Sequence, residues 1–268
     1  MTQLFLVSIG PGDPELISPK AINAIDACSD VVAYGLYLEL LDKACQGKTG
    51  PSKIDPGKTH HELPLGQEIE RARLALDLAA SGKITALVSS GDIGIYAMAS
   101  AVFELLDYQL SGHERNPKWL DVDLEIIPGI SAMQANSSAV GALLGHDFCA
   151  ISLSDLLTPW ETIENRVHSA GSGDFVVTFY NPVSKKRDWQ LNTARDILLQ
   201  YRPGATPTVL GRNLTRDGHS VNIITLDQLN ASQVDMFTCV SVGNRESRHI
   251  INHHTHWVYT PRGYSPRH

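Results

Sequence analysis

Ser90-Gly91-Asp92, within LVSSGDIGIYAMAS (87–100), is where residue type and spacing first point to chemistry in this chain. A glycine lets a ligand approach the backbone, and a carboxylate beside it offers acceptor oxygens to hydroxyls or to a cation. Residues 85–88 are apolar and β-branched, which predicts a buried strand, and from Gly94 to Leu106 small and apolar residues recur at helical spacing. In an open α/β sheet, the turn after a strand's carboxyl end is where ligands bind. The pattern fits equally an ordinary strand-to-helix turn with Asp92 as helix N-cap. The two readings stand side by side.

Polar turns recur at other strand ends. Leu4–Ile9 runs into Gly10-Pro11-Gly12-Asp13-Pro14, and residues 31–33 run into Tyr34-Gly35-Leu36-Tyr37. Residues 122–127 end in Pro128-Gly129-Ile130-Ser131. The first turn is not a dinucleotide loop, because Glu15 stands where the third glycine would be and Pro11 and Pro14 remove two backbone N–H groups. A ribose-binding acid is also missing, since Gly35 ends the second strand and Asp30 precedes it. Farther on, Lys185, Lys186 and Arg187, with Arg212 and Arg216, are locally basic in an acidic protein. They suit a substrate with several carboxylates, or equally a solvated helix start. No Ser-His-Asp order, H-E-x-x-H or P-loop occurs, so hydrolase and NTPase readings lack support. His60 and His61 are adjacent and poorly placed to share an ion, and His253, His254 and His256 read first as a solvated tail. No metal is expected.

The elements that position these turns follow from punctuation and periodicity. Ser18-Pro19 predicts a capped helix through Ala27, and Glu68–Ser81 an amphipathic helix with Ile69, Ala72, Leu76 and Ala79 inward and Glu70, Arg71, Arg73 and Asp77 outward. Between them, Gly47–Gly66 reads as a long surface loop, a candidate lid or substrate rim. Ser131 is expected to cap a small-residue helix, Ala132–Leu144. Alternation of strand and helix predicts a parallel sheet with right-handed crossovers. Gly145-His146-Asp147 reads as a hinge to a second α/β half with strands near 149–153, 175–180, 208–211, 221–225 and 238–242. Thr158-Pro159-Trp160-Glu161 has a capping-box pattern, and from Asn244 the chain reads as a polar, extended tail. The expected domains are 1–146, 147–248 and a tail, 249–268, with a ligand cleft between the two α/β domains.

Composition narrows the partners. The net charge of −7 disfavours nucleic acid and anionic membranes, and no apolar run reaches the roughly 18 residues of a membrane span. Cys28, Cys45, Cys149 and Cys239 form no C-x-x-C pair, and no leader is expected ahead of the strand-like opening. A reducing cytoplasm is the expected setting.

The blocks VSIGPGDPELISPKA, VSSGDIGIYAMA and IPGISAMQA, in that order, resemble the tetrapyrrole (class III) S-adenosylmethionine-dependent methyltransferases of cobalamin and sirohaem synthesis. Within that family, GHDFCAISLSDLLTPWETIE, FYNPVSKKRDWQL and TRDGHSVNIITL are similar to the ring-contracting precorrin-3B C17-methyltransferase subgroup. The resemblance covers nearly the whole chain. It implies two αβα domains, a small-molecule tetrapyrrole substrate and a homodimer. It also implies a donor pocket made of Pro11, Ser90, Gly91, Asp92, Ile95, Ser131, Ala132, Tyr180, Asn181 and Leu214, with S-adenosylhomocysteine as product. The 10–13 loop would face the tetrapyrrole, so Gly10 and Gly12 become candidate substrate contacts together with Tyr34, Lys185, Lys186, Arg187 and Arg212. Sirohaem-type relatives carry an acid just after the second-strand tyrosine. Here that position is Gly35, and no catalytic base transfers to it.

Methyl transfer to carbon asks a protein to align donor and acceptor and to exclude water. Ring contraction additionally needs proton transfers at the macrocycle rim. Asp13, His146 and Asp155 are the catalytic candidates, with His60 and His61 beside them. Two other classes of function compete. A nicotinamide oxidoreductase would need the phosphate loop that Glu15 and Gly35 argue against, and a tetrapyrrole carrier would not bind the methyl donor.

Overall fold

The computed structural model describes residues 2–46, 57–112, 116–184, 187–253 and 255–264. The chain divides into two compact units, Met1–Ser131 and Ala132–His268. The division thus precedes Gly145-His146-Asp147, because α5 (below) packs on the strands that follow it, not on those before.

In the first unit, strands β1 (Gln3–Ser8), β2 (Asp30–Ala33), β3 (Thr59–Glu62), β4 (Ile84–Ser89) and β5 (Asp123–Ile127) alternate with helices α1 (Pro19–Ala27), α2 (Gly35–Gln46), α3 (Glu68–Ala80) and α4 (Met98–Leu110). The five strands form one parallel sheet in the order β3-β2-β4-β1-β5. β1 and β4 are buried along nearly their whole length, as a parallel sheet covered on both faces requires. α1 starts as its sequence predicts, with Pro19 at the first position and the Ser18 hydroxyl accepting from Ala21 N–H at 3.2 Å.

Three local expectations give way. β3 lies inside the stretch expected to be loop, and residues 47–56 of that stretch fall outside the described residues. Its sequence, THHE, carries no apolar alternation because it is an edge strand and largely exposed. Arg71, expected on the solvent face of α3, is buried and donates to the carbonyls of Leu63 and Pro64 at 3.2 and 2.7 Å. α4 begins four residues later than periodicity suggested, so 90–97 is an extended turn.

His61, with β3, belongs to a polar cluster at the amino end of the sheet. Asp30, 2% exposed, receives Lys83 Nζ and Ser29 Oγ at 2.8 Å each, and His61 Nε2 lies 2.7 Å away. Burial alone would raise the Asp30 carboxyl, but hydrogen bonds from Lys83, His61 and Ser29 outweigh it and hold it at about 2. Because this folded value lies below the unfolded one, the contribution is full above the ordinary carboxylate range and is lost as pH falls toward 2. It amounts to roughly 2 kcal/mol. Asp30→Asn is therefore expected to lower the urea midpoint at neutral pH and to flatten its acid limb. An unchanged acid limb would assign that limb to other carboxylates.

The second unit contains α5 (Ala132–Val140), β6 (Gly141–Ala142), β7 (Phe148–Ser152), α6 (Trp160–Ser172), β8 (Val176–Tyr180), α7 (Trp189–Leu198), β9 (Pro207–Arg212), β10 (Ser220–Thr225), β11 (Thr238–Val242), β12 (Arg248–Ile251) and β13 (His256–Tyr259). Its main sheet is mixed, in the order β10-β9-β11-β8-β7, with only β7 and β8 parallel. The expected capping box is not formed: Pro159 occupies the N-cap of α6 without a side-chain hydrogen bond. The segment expected as a solvated tail is a hairpin, β12-β13, whose second strand pairs with β6. Val258 is fully buried there, and His249 and His256 lie 3.2 Å apart across the hairpin. His254 falls outside the described residues.

Candidate functional site

In the first unit, the carboxyl ends of β1, β4 and β5 converge. Gly10 and Gly91 form an isolated antiparallel bridge, with Gly91 N–H donating to Gly10 O at 2.7 Å and Gly10 N–H to Gly91 O at 3.2 Å. Ser8 Oγ accepts from Ile93 N–H at 2.8 Å, which fastens β1 to the turn after β4. Asp92 joins that turn to the one after β5: Oδ1 accepts from Gly94 N–H at 2.8 Å and Oδ2 from Gly129 N–H at 3.0 Å. Asp92 is not the cap of α4, whose N-cap is Ala97. Each of its oxygens retains a further lone pair for a ligand.

The glycines here have different jobs. A Cβ at Gly129 would lie 2.5 Å from Ser8 Cβ and 2.6 Å from Gly91 O, so only glycine permits the three turns to close up. A Cβ at Gly91 would meet nothing nearer than Ser131 Cα at 3.9 Å, so the space over that residue is open. Gly91 itself sits at φ +68°, a conformation that glycine adopts without steric cost. Ser131 is buried, Ser90 and Ile95 are half-buried, and Pro11 is buried beside Gly10. The first unit thus brings Gly10, Pro11, Ser90, Gly91, Asp92 and Ser131 to one end of its sheet. The open space above Gly91, beside carboxylate oxygens with spare acceptor capacity, fits a ligand with hydroxyl and ammonium groups.

The remaining candidates of this unit have defined roles. Asp13 caps a short 3₁₀ turn, Pro14–Leu16, accepting from Glu15 N–H at 2.9 Å. Gly12 has φ +148°, and Tyr34, half-buried at the end of β2, packs edge-on against Tyr37 with ring centroids 5.5 Å apart. His60 and His61 lie on β3, with His61 engaged by Asp30.

In the second unit, Tyr180 and Asn181 end β8. Tyr180 Oη accepts from Met133 N–H at 3.1 Å, which places it at the start of α5 beside Ala132. Asn181, at φ +50°, donates to Ser152 Oγ at 3.1 Å. Leu214 is buried in the turn after β9, flanked by Asn213 at φ +47° and Thr215 at φ +63°. A β-branched residue in that region is strained, and such strain concentrates where a turn's shape is used. Sequence periodicity carries no sign of it.

The expected cationic cluster is only partly available. Arg187 is buried and donates to Leu153 O and Asn181 O at 2.8 Å each, with Asp155 Oδ1 3.7 Å from its Nε. Burial lowers its pKa and Asp155 raises it in part. Arg187 is therefore an internal strut for the turn after β8, and Asp155, which also accepts from Gln190 at 3.0 Å, is its partner. Lys185 and Lys186 fall outside the described residues. Arg212 pairs with Asp235 at 2.7 Å, which holds the Asp235 carboxyl below its ordinary value against the opposing effect of burial. His146 is exposed, accepts from Asp147 N–H at 2.7 Å, and lines a polar pocket of about 530 Å³ with Asp174, Glu246 and Arg248. Its hydrogen-bond and ion-pair partner among the described residues is Asp147, and not Tyr180, Asn181 or Leu214.

The Cys28, Cys149 and Cys239 thiols are pushed by burial to about 12, about 11 and about 12, so none is poised as a nucleophile. Among the described residues, no helix is long and apolar enough to cross a membrane.

Comparison with known proteins gives the arrangement its context. Residues 3–230 match the model of the tetrapyrrole (corrin/porphyrin) methylases. The chain is 38% identical over 264 residues to a precorrin-3B C(17)-methyltransferase of Sinorhizobium sp, covering 98% of this chain and 97% of that protein. It is 39% identical over 262 residues to a probable cobalt-factor III C(17)-methyltransferase of Salmonella typhimurium, covering 98% and 99%. The crystal structure of the methyltransferase CobJ superposes with a TM-score of 0.84 at 36% identity, covering 97% of this chain and 99% of that one. The chain belongs to the tetrapyrrole methylases, enzymes that take their methyl group from S-adenosylmethionine.

Proposed function

We propose that this protein methylates carbon 17 of a corrin precursor, precorrin-3B or its cobalt counterpart, with contraction of the ring, in cobalamin biosynthesis. The observation that carries the reading is the interlocked Gly10–Gly91–Gly129 turn with open space above Gly91, in a chain whose relatives are named for C(17) methylation of precorrin-3B and of cobalt-factor III. Ring contraction is extended to this chain from the resemblance of 145–164, 179–191 and 215–226 to that subgroup. A homodimer and a cytoplasmic location are further parts of the proposal, the first of which sedimentation equilibrium measures directly.

The donor contacts proposed are Pro11, Ser90, Gly91, Asp92, Ile95 and Ser131 from the first unit, with Ala132, Tyr180, Asn181 and Leu214 from the second. When bound, the donor supplies an electrophilic methyl group on a sulfonium. Asp92 holds the two turns in register and offers its remaining lone pairs to donor hydroxyl or ammonium groups. Gly129 N–H is already held by Asp92, so it is not available to a donor carboxylate. Tyr180 and Asn181 fix the end of β8, and Gly10, Gly12 and Tyr34 present the substrate side of the first sheet. Alignment of this kind lowers a barrier by several kcal/mol through orientation alone.

Calorimetric titration with S-adenosylhomocysteine tests the donor site, with NADP as control, followed by turnover assays with both macrocycles. Binding of the product, none of NADP, and turnover of one macrocycle are the expected results. Binding of NADP without the product would sink the proposal.

A further inference from the structure

A carboxylate from a neighbouring strand stands beside Gly35, just after the second-strand tyrosine. Glu62 ends β3 and stands opposite Ala33 in the parallel pairing with β2. Its carboxylate lies over Gly35, the first residue of α2: an added Cβ at Gly35 would be 2.3 Å from Glu62 Oε1, 2.8 Å from Cδ and 3.4 Å from Oε2. Gly35 thus leaves room, next to Tyr34, for an acid delivered by β3.

Among the described residues, no hydrogen bond or ion pair engages the Glu62 carboxylate. The two carboxylates in the turns after β1 and β4 differ: Asp13 holds Glu15 N–H, and Asp92 holds Gly94 and Gly129 N–H. Glu62 is also exposed, so a proton it takes can pass to water.

Position in the sheet gives this acid a direction. All five carboxyl ends of a parallel sheet open on one rim, where ligands bind. The proposed donor contacts of this unit follow β4, β1 and β5, and the proposed substrate contacts run from Gly10 and Gly12 after β1 to Tyr34 after β2, the strand next to β3. β3 is two strands from β4, about 10 Å at ordinary strand spacing, within reach of one planar macrocycle.

We propose that Glu62 is the proton acceptor for the carbon methylation, an assignment that rests on the methyltransferase reading above. When a ring carbon of enamine type forms its C–CH₃ bond, it uses the electron pair of its C=C bond, and the S–CH₃ pair leaves with sulfur. The adjacent ring nitrogen becomes cationic and must shed its N–H proton to return to a neutral imine. Glu62 takes that proton and releases it to solvent, so charge and atoms balance.

The test uses the full chain and three proteins: wild type, Glu62→Gln and Gly35→Ala. The second variant keeps the carboxylate but displaces it, since the added Cβ would lie 2.3 Å from Oε1. Loss of general-base catalysis costs about 100-fold or more in kcat. Glu62→Gln is expected to show that loss with unchanged S-adenosylhomocysteine affinity and urea midpoint. Gly35→Ala is expected to lose part of kcat, with S-adenosylhomocysteine affinity unchanged. Turnover of Glu62→Gln at the wild-type rate overturns the assignment. So does a fall in its urea midpoint or product affinity that accounts for the lost rate, since Glu62 would then merely support the α2 terminus. A wild-type protein that neither binds the product nor turns over would instead overturn the methyltransferase reading, and this assignment with it.

Discussion

Alanine in place of Gly91 is expected to weaken S-adenosylhomocysteine binding by about 10- to 100-fold while lowering stability by only about 1–2 kcal/mol. The two effects have separate causes. Gly91 sits at φ +68°, where an L-residue's Cβ crowds its own backbone, and that is the stability cost. Nothing else resists the methyl group, because the nearest atom is Ser131 Cα at 3.9 Å. The methyl therefore stands in the open space over the turn, which the donor is proposed to occupy. Gly129→Ala is the contrasting control. There the new Cβ would collide with Ser8 Cβ at 2.5 Å, on the last residue that β1 pairs with β4, and with Gly91 O at 2.6 Å, in the bridge to Gly10. Overpacking of that kind costs about 1–3 kcal/mol, and it displaces the turn instead of filling a site. Titration with S-adenosylhomocysteine, set beside urea midpoints for both variants, separates the cases. Wild-type affinity in Gly91→Ala would place the donor elsewhere.

Much of the first unit was legible because its signals are local. The β-branched run before Ser90, the Ser18-Pro19 helix start and the alternation of strand and helix each depend on neighbours in sequence, and each appears in the structure. The glycine turns at 10, 91 and 129 could be placed at strand ends for the same reason. What sequence could not show is their interlocking: the Gly10–Gly91 bridge joins residues 81 positions apart, and Asp92 reaches Gly129 across 37. β3 was missed because an exposed edge strand needs no apolar alternation, and with it went both the Asp30 cluster and Glu62. The closing hairpin was missed for a related reason. One buried face supplied by Val258 and pairing to a two-residue strand, β6, leaves little imprint on hydropathy.

The basic stretch before α7 shows the limit most sharply, and it yields the largest expected stability effect. Arg187→Ala is expected to cost about 3 kcal/mol. By composition Arg187 belongs with Lys185 and Lys186 as a substrate cation. In the structure its guanidinium is inside the unit, bridging Leu153 O at the end of β7 and Asn181 O at the end of β8, beside Asp155. Truncation orphans the buried Leu153 carbonyl, removes a part-buried bond to Asn181 O and leaves Asp155 without its cation, and the first loss is the costliest because water cannot replace the donor there. The bridge is a fork, with one nitrogen to each carbonyl, so Arg187→Lys keeps the charge but satisfies both ends poorly and should recover only part of the loss. Asn181 is held at φ +50° by this contact and by its own bond to Ser152. Relaxing it should weaken S-adenosylhomocysteine binding as well, because Asn181 and Tyr180 are proposed donor contacts. A substrate-binding role would give the opposite pattern, with the urea midpoint intact in Arg187→Ala, donor affinity unchanged, and KM for the macrocycle raised. Midpoints and product affinities of the alanine and lysine variants therefore decide whether this arginine shapes the site or touches the substrate.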